Sequence, residues 1–140
     1  APTSLEQFAH DLAQLFARRW PAASLTLEVG DTGEWRMDRD QMHQAVWALF
    51  NNAAEATIKT QKPRVALSIA RKSNKLTITV TDEGVGIAPE SIGIIFRPFH
   101  TTKCQGSGIG LSLARQIARG HGGSLELTGV NPTTFQIGLP

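Results

Sequence analysis

Two glycine clusters separated by an irregular segment constrain this sequence more than any other feature. The first, residues 84–86 (Gly-Val-Gly), follows an alternating run that ends at Asp82, and the second, residues 106–110 (Gly-Ser-Gly-Ile-Gly), opens onto an apolar-periodic stretch. Residues 87–105 between them contain two prolines and no sustained hydrophobic period. We interpret the stretch as two backbone turns around a loop, an arrangement that suits a ligand with an anionic end.

Asp82 stands at the end of a strand pattern. Leu76, Ile78 and Val80 alternate with threonines, so they share one face of a predicted strand, and Asp82 continues that face. A carboxylate on an apolar face is costly unless it is hydrogen-bonded. An amino group of a ligand would satisfy it, and the alternative is an aspartate that caps its own turn.

The second glycine cluster precedes a predicted helix. Gly106, Gly108 and Gly110 would expose backbone N–H groups at the helix N-terminus, where a phosphate is favoured. The alternative is an ordinary flexible loop before a helix. Because both clusters occur in this order with a loop between them, together they favour a nucleotide site more than either does alone.

An asparagine in the second predicted helix suggests a metal ligand. Ala48, Asn52 and Glu55 run along an edge beside the apolar stripe of that helix. Asparagine is unfavourable in a helix interior, whereas its amide oxygen is a hard ligand of the kind that Mg²⁺ accepts. A surface or locally bonded asparagine is the alternative, and the glycine clusters favour the Mg²⁺ interpretation.

Length and composition indicate one soluble domain over residues 1–140, and because the sequence starts at Ala1 without Met we expect it to be a fragment of a longer chain. Of the 140 residues, 41% are hydrophobic and 19% charged, and the net charge of +2 is too small to argue for nucleic acid. No apolar run reaches membrane-spanning length, so we expect no membrane contact by this domain. The single cysteine, Cys104, excludes an internal disulfide and is interpreted as a passive thiol rather than a redox switch.

Hydrophobic periods and turn residues predict the order of the elements. They are helix 4–19 with a Ser4–Gln7 capping box, strand 24–29, a hairpin turn at 30–33, strand 34–37, a helix capped by Asp38 that runs to about residue 60, strands 64–70 and 75–82, helix 109–119, and strands 124–128 and 133–139. Hairpins join most strands, so we predict a mixed, largely antiparallel sheet with helices on one face, an α/β two-layer sandwich.

Four segments resemble, in family order, the ATP-binding catalytic domain of sensor histidine kinases. Asn52 with its helix resembles the N box, residues 82–86 the first glycine box, residues 96–99 (Phe-Arg-Pro-Phe) the F box, and residues 106–111 the second glycine box. The wider group includes gyrase, heat-shock-chaperone and mismatch-repair ATPases. The resemblance implies their Bergerat-type ATP-binding fold.

At the base, the resemblance implies that Asp82 accepts a hydrogen bond from the adenine amino group. Gly84 and Gly86 would let the backbone approach the base. Thr133 matches a family threonine near the base, although Pro132 stands where a glycine is usual.

At the phosphates, the resemblance implies that Asn52 binds Mg²⁺ and that the second glycine box binds phosphate oxygens. The residues of that box are Gly106, Ser107, Gly108, Ile109, Gly110 and Leu111. Phe96 and Phe99 would anchor a mobile lid over the site. Lys103 is a candidate phosphate contact, with a solvated surface lysine as the alternative.

The implied function is binding of ATP and Mg²⁺ and transfer of the γ-phosphoryl group to a histidine on a separate dimerisation domain of the same parent chain. That domain would pass the phosphoryl group to a response regulator in a cytoplasmic two-component system, whose parent protein could be membrane-anchored. The alternatives are a small anti-sigma-type serine kinase and a gyrase- or chaperone-type ATPase. The F box and the non-acidic Ala48 favour the histidine kinase.

Two residues depart from the family pattern or imitate part of it. Glu55 stands where many members carry a basic residue, so phosphate charge would be met elsewhere. His10, followed by Asp11, resembles a phosphoacceptor, but the family acceptor needs a two-helix hairpin and only short strands are predicted between residues 19 and 38. We therefore expect no self-phosphorylation of the isolated domain, and interpret the other histidines, including His121, as structural or exposed.

Overall fold

A computed structural model of the chain describes residues 2–30, 33–57, 64–72, 74–83, 110–130 and 132–140. The elements in chain order are β1 (Pro2–Ser4), α1 (Leu5–Arg19), β2 (Ser24–Val29), β3 (Glu34–Arg36), α2 (Arg39–Thr57), β4 (Arg64–Lys72), β5 (Lys75–Asp82), α3 (Gly110–Gly120), β6 (Ser124–Val130) and β7 (Thr133–Leu139). None of the helices formed by these residues is both long and apolar enough to cross a membrane.

Five strands form one sheet in the order β2-β4-β5-β7-β6, and β1 and β3 pair separately. Within the sheet β2 and β4 are parallel, and the other three pairings are antiparallel. The helices pack on one face of this sheet and share a single hydrophobic core with it. The predicted two-layer sandwich with a mixed, mostly antiparallel sheet is confirmed.

The central strands show how alternation builds the core. Side chains of β5 and β7 are alternately buried and half-buried, as the two-residue period of a strand requires. The inward-facing members of the two strands are Leu76, Ile78, Val80, Asp82, Thr133, Phe135, Ile137 and Leu139. Asp82 therefore lies on the apolar, helix-facing side, as its position in the sequence predicts.

Both long helices begin at a side-chain cap. The Ser4 hydroxyl accepts a hydrogen bond from the Gln7 backbone N–H at 3.3 Å, and the Asp38 carboxylate accepts one from the Gln41 N–H at 2.9 Å. Such caps satisfy N–H groups that the first turn leaves without a partner. The Gln7 amide donates to Asp11 at 2.8 Å, along the helix, so the predicted capping box at Ser4 is only half formed.

The predicted hairpin between residues 24–29 and 34–37 is wrong. Strand β3 pairs with β1, at the start of the chain, and β2 pairs in parallel with β4, which follows α2. The pairing with β4 aligns Leu25 with Val65 and extends the apolar face under the helices. Alternation in the sequence identifies a strand and its faces, but the partner is chosen by long-range packing.

An aromatic cluster joins α1 to α2. The rings of Phe16 and Phe50 meet edge to face with centroids 5.2 Å apart, and the Trp20 and Trp47 rings lie 5.1 Å apart. His43 stacks on Trp47 at 6.4 Å and an interplanar angle of 10°. Aromatic pairs in these arrangements contribute about 0.5–1.5 kcal/mol each beyond the area that they bury.

His43 is held neutral by its place in this cluster. Burial lowers the pKa of His43 below its ordinary value of 6.5, and the nearby Arg39 charge lowers it further. Asp11 and Asp40 oppose this shift without cancelling it. Because the folded state disfavours protonation, His43 contributes stability above its ordinary pKa, and that contribution is lost as the pH falls through the lowered pKa.

We expect His43→Gln to flatten the acid side of the stability profile. In the unmodified protein the free energy of unfolding should fall as the pH drops through the ordinary His43 pKa of 6.5 towards its lowered pKa, and this fall should be smaller in the variant. Urea titrations at a series of pH values measure it. His10, which is exposed on α1, provides the matched control His10→Gln, and equal slopes in both variants would contradict the assignment to His43.

Candidate nucleotide site

Asp82 lies at one end of the sheet, buried between two neighbouring strands. It is the last residue of β5, and its side chain is only 2% exposed. Its Cα partners are Val65 on β4 and Thr133 on β7. The carboxylate is thus flanked by an apolar side chain on one strand and a hydroxyl-bearing one on the other, on the face where the helices pack.

Thr133 is the first residue of β7 and is 3% exposed. Its hydroxyl donates to the Val130 carbonyl at 3.4 Å, across the β6–β7 turn. The register of β5 and β7 places Thr133 directly opposite Asp82. The structure thus brings together two residues that the sequence analysis selected from distant parts of the chain.

Asn52 belongs to α2, beyond the middle of the helix. Its side chain is half-buried, as are those of Ala48 and Glu55, whereas Leu49 and Ala53 are buried in the core. The predicted edge beside the apolar stripe is therefore confirmed. This edge borders α3, which packs along α2.

Helix α3 contacts α2 at both of its ends, and these two contacts fix the direction in which α3 runs. A Cβ atom built on Gly110, the first residue of α3, would lie 3.7 Å from the Ala48 Cβ. Past the other end, His121 Nε2 accepts a hydrogen bond from the Asp38 backbone N–H at 3.0 Å. Helix α3 is therefore antiparallel to the first half of α2, and its N-terminus points towards Asn52, about one helical turn further along.

The same end of the molecule holds Asp82 and Thr133. Gly123, just after α3, approaches Gly138 so closely that an added Cβ would lie 1.9 Å from the Gly138 carbonyl oxygen. That contact fixes the C-terminus of α3 near the far end of β7. The N-terminus of α3 and Asn52 consequently lie towards the end of β7 that carries Thr133. A helix N-terminus attracts anions, so this end combines an anion-favouring group with a buried carboxylate.

The described residues hold part of the predicted site. They include Asn52, Asp82, Gly110, Thr133 and Leu111, of which Leu111 is half-buried against the core. The predicted site and lid residues outside the described ranges are Gly84, Gly86, Phe96, Phe99, Lys103, Gly106, Ser107, Gly108 and Ile109. The interpretation of Cys104 also falls outside them.

The donor chemistry around Asn52 fits a magnesium ion that shares its ligands with phosphate. Within the ranges that the structure describes, no three His, Cys, Asp or Glu side chains come together as a metal cluster. Mg²⁺ is commonly held by one or two protein oxygens together with water and substrate phosphates rather than by a cage of side chains. A single amide oxygen beside a helix N-terminus is compatible with that mode of binding.

Residues 37–140 match the family model described as histidine kinase-, DNA gyrase B- and HSP90-like ATPase. The chain is 36% identical over 118 residues to the sensory histidine kinase/phosphatase NtrB of Rhizobium meliloti (strain 1021), covering 74% of this chain and 31% of NtrB. It is 32% identical over 109 residues to the sensor histidine kinase ZraS of Escherichia coli (strain K12), covering 76% of this chain and 23% of ZraS.

A solved structure agrees over the whole chain. The catalytic domain of histidine kinase ThkA in a nucleotide-free form superposes with a TM-score of 0.87 at 27% sequence identity, covering 100% of this chain and 94% of that domain. The chain thus spans nearly all of a separately solved catalytic domain, but less than a third of the curated NtrB and ZraS proteins.

Proposed function

The chain belongs to the histidine kinase-, DNA gyrase B- and HSP90-like ATPase family, as a histidine kinase catalytic domain, and from this premise we propose that it binds Mg-ATP and donates the γ-phosphoryl group to a histidine on a separate dimerisation domain. The observation that carries the proposal is the convergence at one end of the fold of the buried Asp82 with Thr133, Asn52 and the N-terminus of α3. A base and a phosphate chain require different chemistry, and this end offers both.

Asp82 is proposed to select the base. A buried carboxylate accepts the hydrogen bond of the adenine amino group and repels the carbonyl oxygen that guanine carries at the same position. Thr133, paired with Asp82 across β5 and β7, lines the same part of the site. Gly84 and Gly86, which follow Asp82 in the sequence, are proposed to bring the backbone close to the base.

The N-terminus of α3 and Asn52 are proposed to hold the phosphate chain. Backbone N–H groups of the second glycine box are proposed to donate to phosphate oxygens, since the start of a helix favours anions. Asn52 would supply an amide oxygen to a magnesium ion, and the ion would supply positive charge to neutralise the phosphates. Lys103 is a further proposed phosphate contact. Phosphoryl transfer depends mainly on such positioning and charge neutralisation, so the site needs no covalent catalyst of its own.

The acceptor and the downstream partner are proposed for the longer protein to which a domain of this kind belongs. Sensor histidine kinases are the curated relatives, and the chain covers less than a third of NtrB and ZraS. The phosphoacceptor histidine would lie on another domain of that protein, which would then serve a response regulator. Because the reaction consumes ATP, we place this domain on the cytoplasmic side.

The isolated domain should not label itself when incubated with ATP that carries a radioactive γ-phosphate. A separately purified phosphoacceptor domain from a matched sensor kinase should become labelled at its histidine when the catalytic domain is added. The physical reason is that an acceptor histidine must reach the γ-phosphate, and we place that histidine on a separate domain rather than on this one. Acid-labile label on each protein after electrophoresis measures the transfer.

Asn52→Ala is the matched negative control, since it removes the proposed Mg²⁺ ligand from the surface of α2. His10, exposed on α1 with Nε2 at 3.2 Å from the Gln14 amide nitrogen, is not expected to accept. Label on the isolated chain that disappears in His10→Ala would contradict the assignment of the acceptor to another domain.

A further inference from the structure

His121 follows the last residue of α3 and uses both ring nitrogens. Nδ1 lies 2.8 Å from the Ile117 carbonyl oxygen, and Nε2 lies 3.0 Å from the Asp38 backbone nitrogen. A carbonyl oxygen only accepts and a backbone N–H only donates. The ring that satisfies both partners is therefore neutral, with its proton on Nδ1 and with Nε2 as the acceptor.

The backbone that carries His121 is fixed by its own contacts. The N–H groups of Gly122 and Gly123 donate at 2.9 Å to the carbonyls of Arg119 and Ala118, and these bonds close the end of α3. Gly122 has a φ of +79°, the left-handed conformation that glycine adopts without strain. Gly123 then packs directly on the β7 backbone. The backbone that carries the imidazole is thus held between a closed helix end and the sheet.

The partner of Nε2 is the residue that starts α2. Asp38 uses its side chain to cap α2 through the Gln41 N–H and its backbone N–H to bond His121. This hydrogen bond joins residues 83 positions apart in the sequence. It therefore ties the last turn of α3 to the first turn of α2.

The hydrogen bond between Asp38 and His121 lies at the opposite end of the α2–α3 pair from the candidate site. Along α2, Ala48 is about 15 Å from Asp38, and along α3, Gly110 is about 16 Å from His121, at about 1.5 Å per residue. At the site end, the contact of Gly110 with Ala48 is between small groups, which does not define an axial register. The hydrogen bond of His121 is directional and does define one, in addition to the apolar packing of the two helices in the core.

We propose that His121 is a positioning residue that fixes α3 along α2 and thereby sets the separation between the N-terminus of α3 and Asn52. This inference rests on the proposed function, in which those two groups hold one phosphate chain from two helices. A shift of α3 by about 1 Å along α2 would move the N-terminus of α3 relative to Asn52. Such a displacement lowers phosphate affinity, because both groups must contact the same phosphate chain at once.

Three substitutions separate the roles of the two nitrogens. The side-chain amide of His121→Gln reaches the position of Nε2 and can accept from Asp38, whereas the shorter amide of His121→Asn reaches the position of Nδ1 and can bond only Ile117. His121→Ala loses both bonds. Among the three variants, only His121→Gln keeps the hydrogen bond to Asp38 on α2, and only His121→Asn keeps the hydrogen bond to the Ile117 carbonyl.

Affinities for a Mg²⁺-loaded, non-hydrolysable ATP analogue and for adenosine, which lacks phosphates, test the proposal. His121→Asn and His121→Ala should lower the affinity for the analogue about five- to tenfold, as expected for one lost hydrogen bond. His121→Gln should lower it by less than about twofold. Adenosine affinity should stay within about twofold of the unmodified protein in all three.

Other patterns overturn the proposal. If His121→Asn binds the analogue as tightly as the unmodified protein and His121→Gln binds it as weakly as His121→Ala, then His121 only closes its own helix. If the affinity for adenosine falls as much as the affinity for the analogue, the effect is general destabilisation. Long-range ¹H–¹⁵N correlation of the imidazole in the unmodified protein needs no nucleotide and no variant. A protonated Nε2 would exclude the tie to Asp38, whereas an Nδ1–H tautomer in a protein that binds neither ligand would mean that the proposed function itself has failed.

Discussion

Asp82→Asn should weaken ATP binding about 10- to 100-fold and reduce the preference for ATP over GTP. A hydrogen bond to a charged acceptor is worth about 1.5–3 kcal/mol, and each 1.4 kcal/mol is a factor of ten in affinity. The carboxylate is 2% exposed at the end of β5, where solvent competes little with a ligand. Asparagine has nearly the same shape, so the substitution changes charge and acceptor capacity more than packing.

Calorimetric titration with ATP and GTP in the presence of Mg²⁺ measures both effects. Thr81→Asn is a matched control, because Thr81 precedes Asp82 on the same strand but lies on the opposite face of the sheet. That variant should bind ATP within about twofold of the unmodified protein. Equal affinity of the unmodified protein for ATP and GTP would exclude Asp82 as the residue that selects adenine.

The position of Asp82 shows what a sequence can predict about this site. The alternation of Leu76, Ile78 and Val80 placed the carboxylate on the apolar face, and the structure confirms that placement. The caps at Ser4 and Asp38 were likewise predictable, because a cap is a contact between residues three positions apart. Local periodicity and local hydrogen bonding are sufficient for such features.

Long-range partners were not predictable in the same way. Strand β2 pairs in parallel with β4, which lies beyond α2 in the chain, and the predicted hairpin failed because this partner is distant in sequence. The neighbour relation of Asp82 and Thr133 depends on strand register, and the bond of His121 to Asp38 on the direction of α3. The only sequence signal at His121 was the glycine pair that ends the helix. The glycine pair indicates where α3 ends, but it does not indicate that His121 bonds to Asp38.

Position 48 distinguishes a phosphoryl-transfer domain from a hydrolytic ATPase. The resemblance implies that hydrolytic relatives carry a glutamate one helical turn before the magnesium asparagine, where it activates water, and this chain has Ala48 there. Ala48 is half-buried and faces Gly110, whose added Cβ would lie only 3.7 Å away. Alanine carries no ionisable group, so no base stands at the position from which a glutamate would act.

The nearest acidic alternative on α2 is Glu55, three residues beyond Asn52 and on the other side of it from Ala48. A general base must lie within hydrogen-bond reach of the proton that it removes, and it typically contributes a factor of about 10² to 10⁴. Successive turns of a helix displace side chains along its axis, so Glu55 points to a different part of the site than position 48 does.

We therefore expect the isolated domain to bind ATP and to release ADP at close to the background rate, about 10² to 10⁴ times more slowly than a relative that has the base. Steady-state ADP release from the unmodified protein and from Glu55→Gln measures this, with ATP affinity determined in parallel to show that the site is intact. Both proteins should give the same low rate, because position 48, one helical turn before Asn52, carries alanine rather than a glutamate in both. Robust turnover that Glu55→Gln abolishes would instead identify Glu55 as the base and the chain as a hydrolytic ATPase.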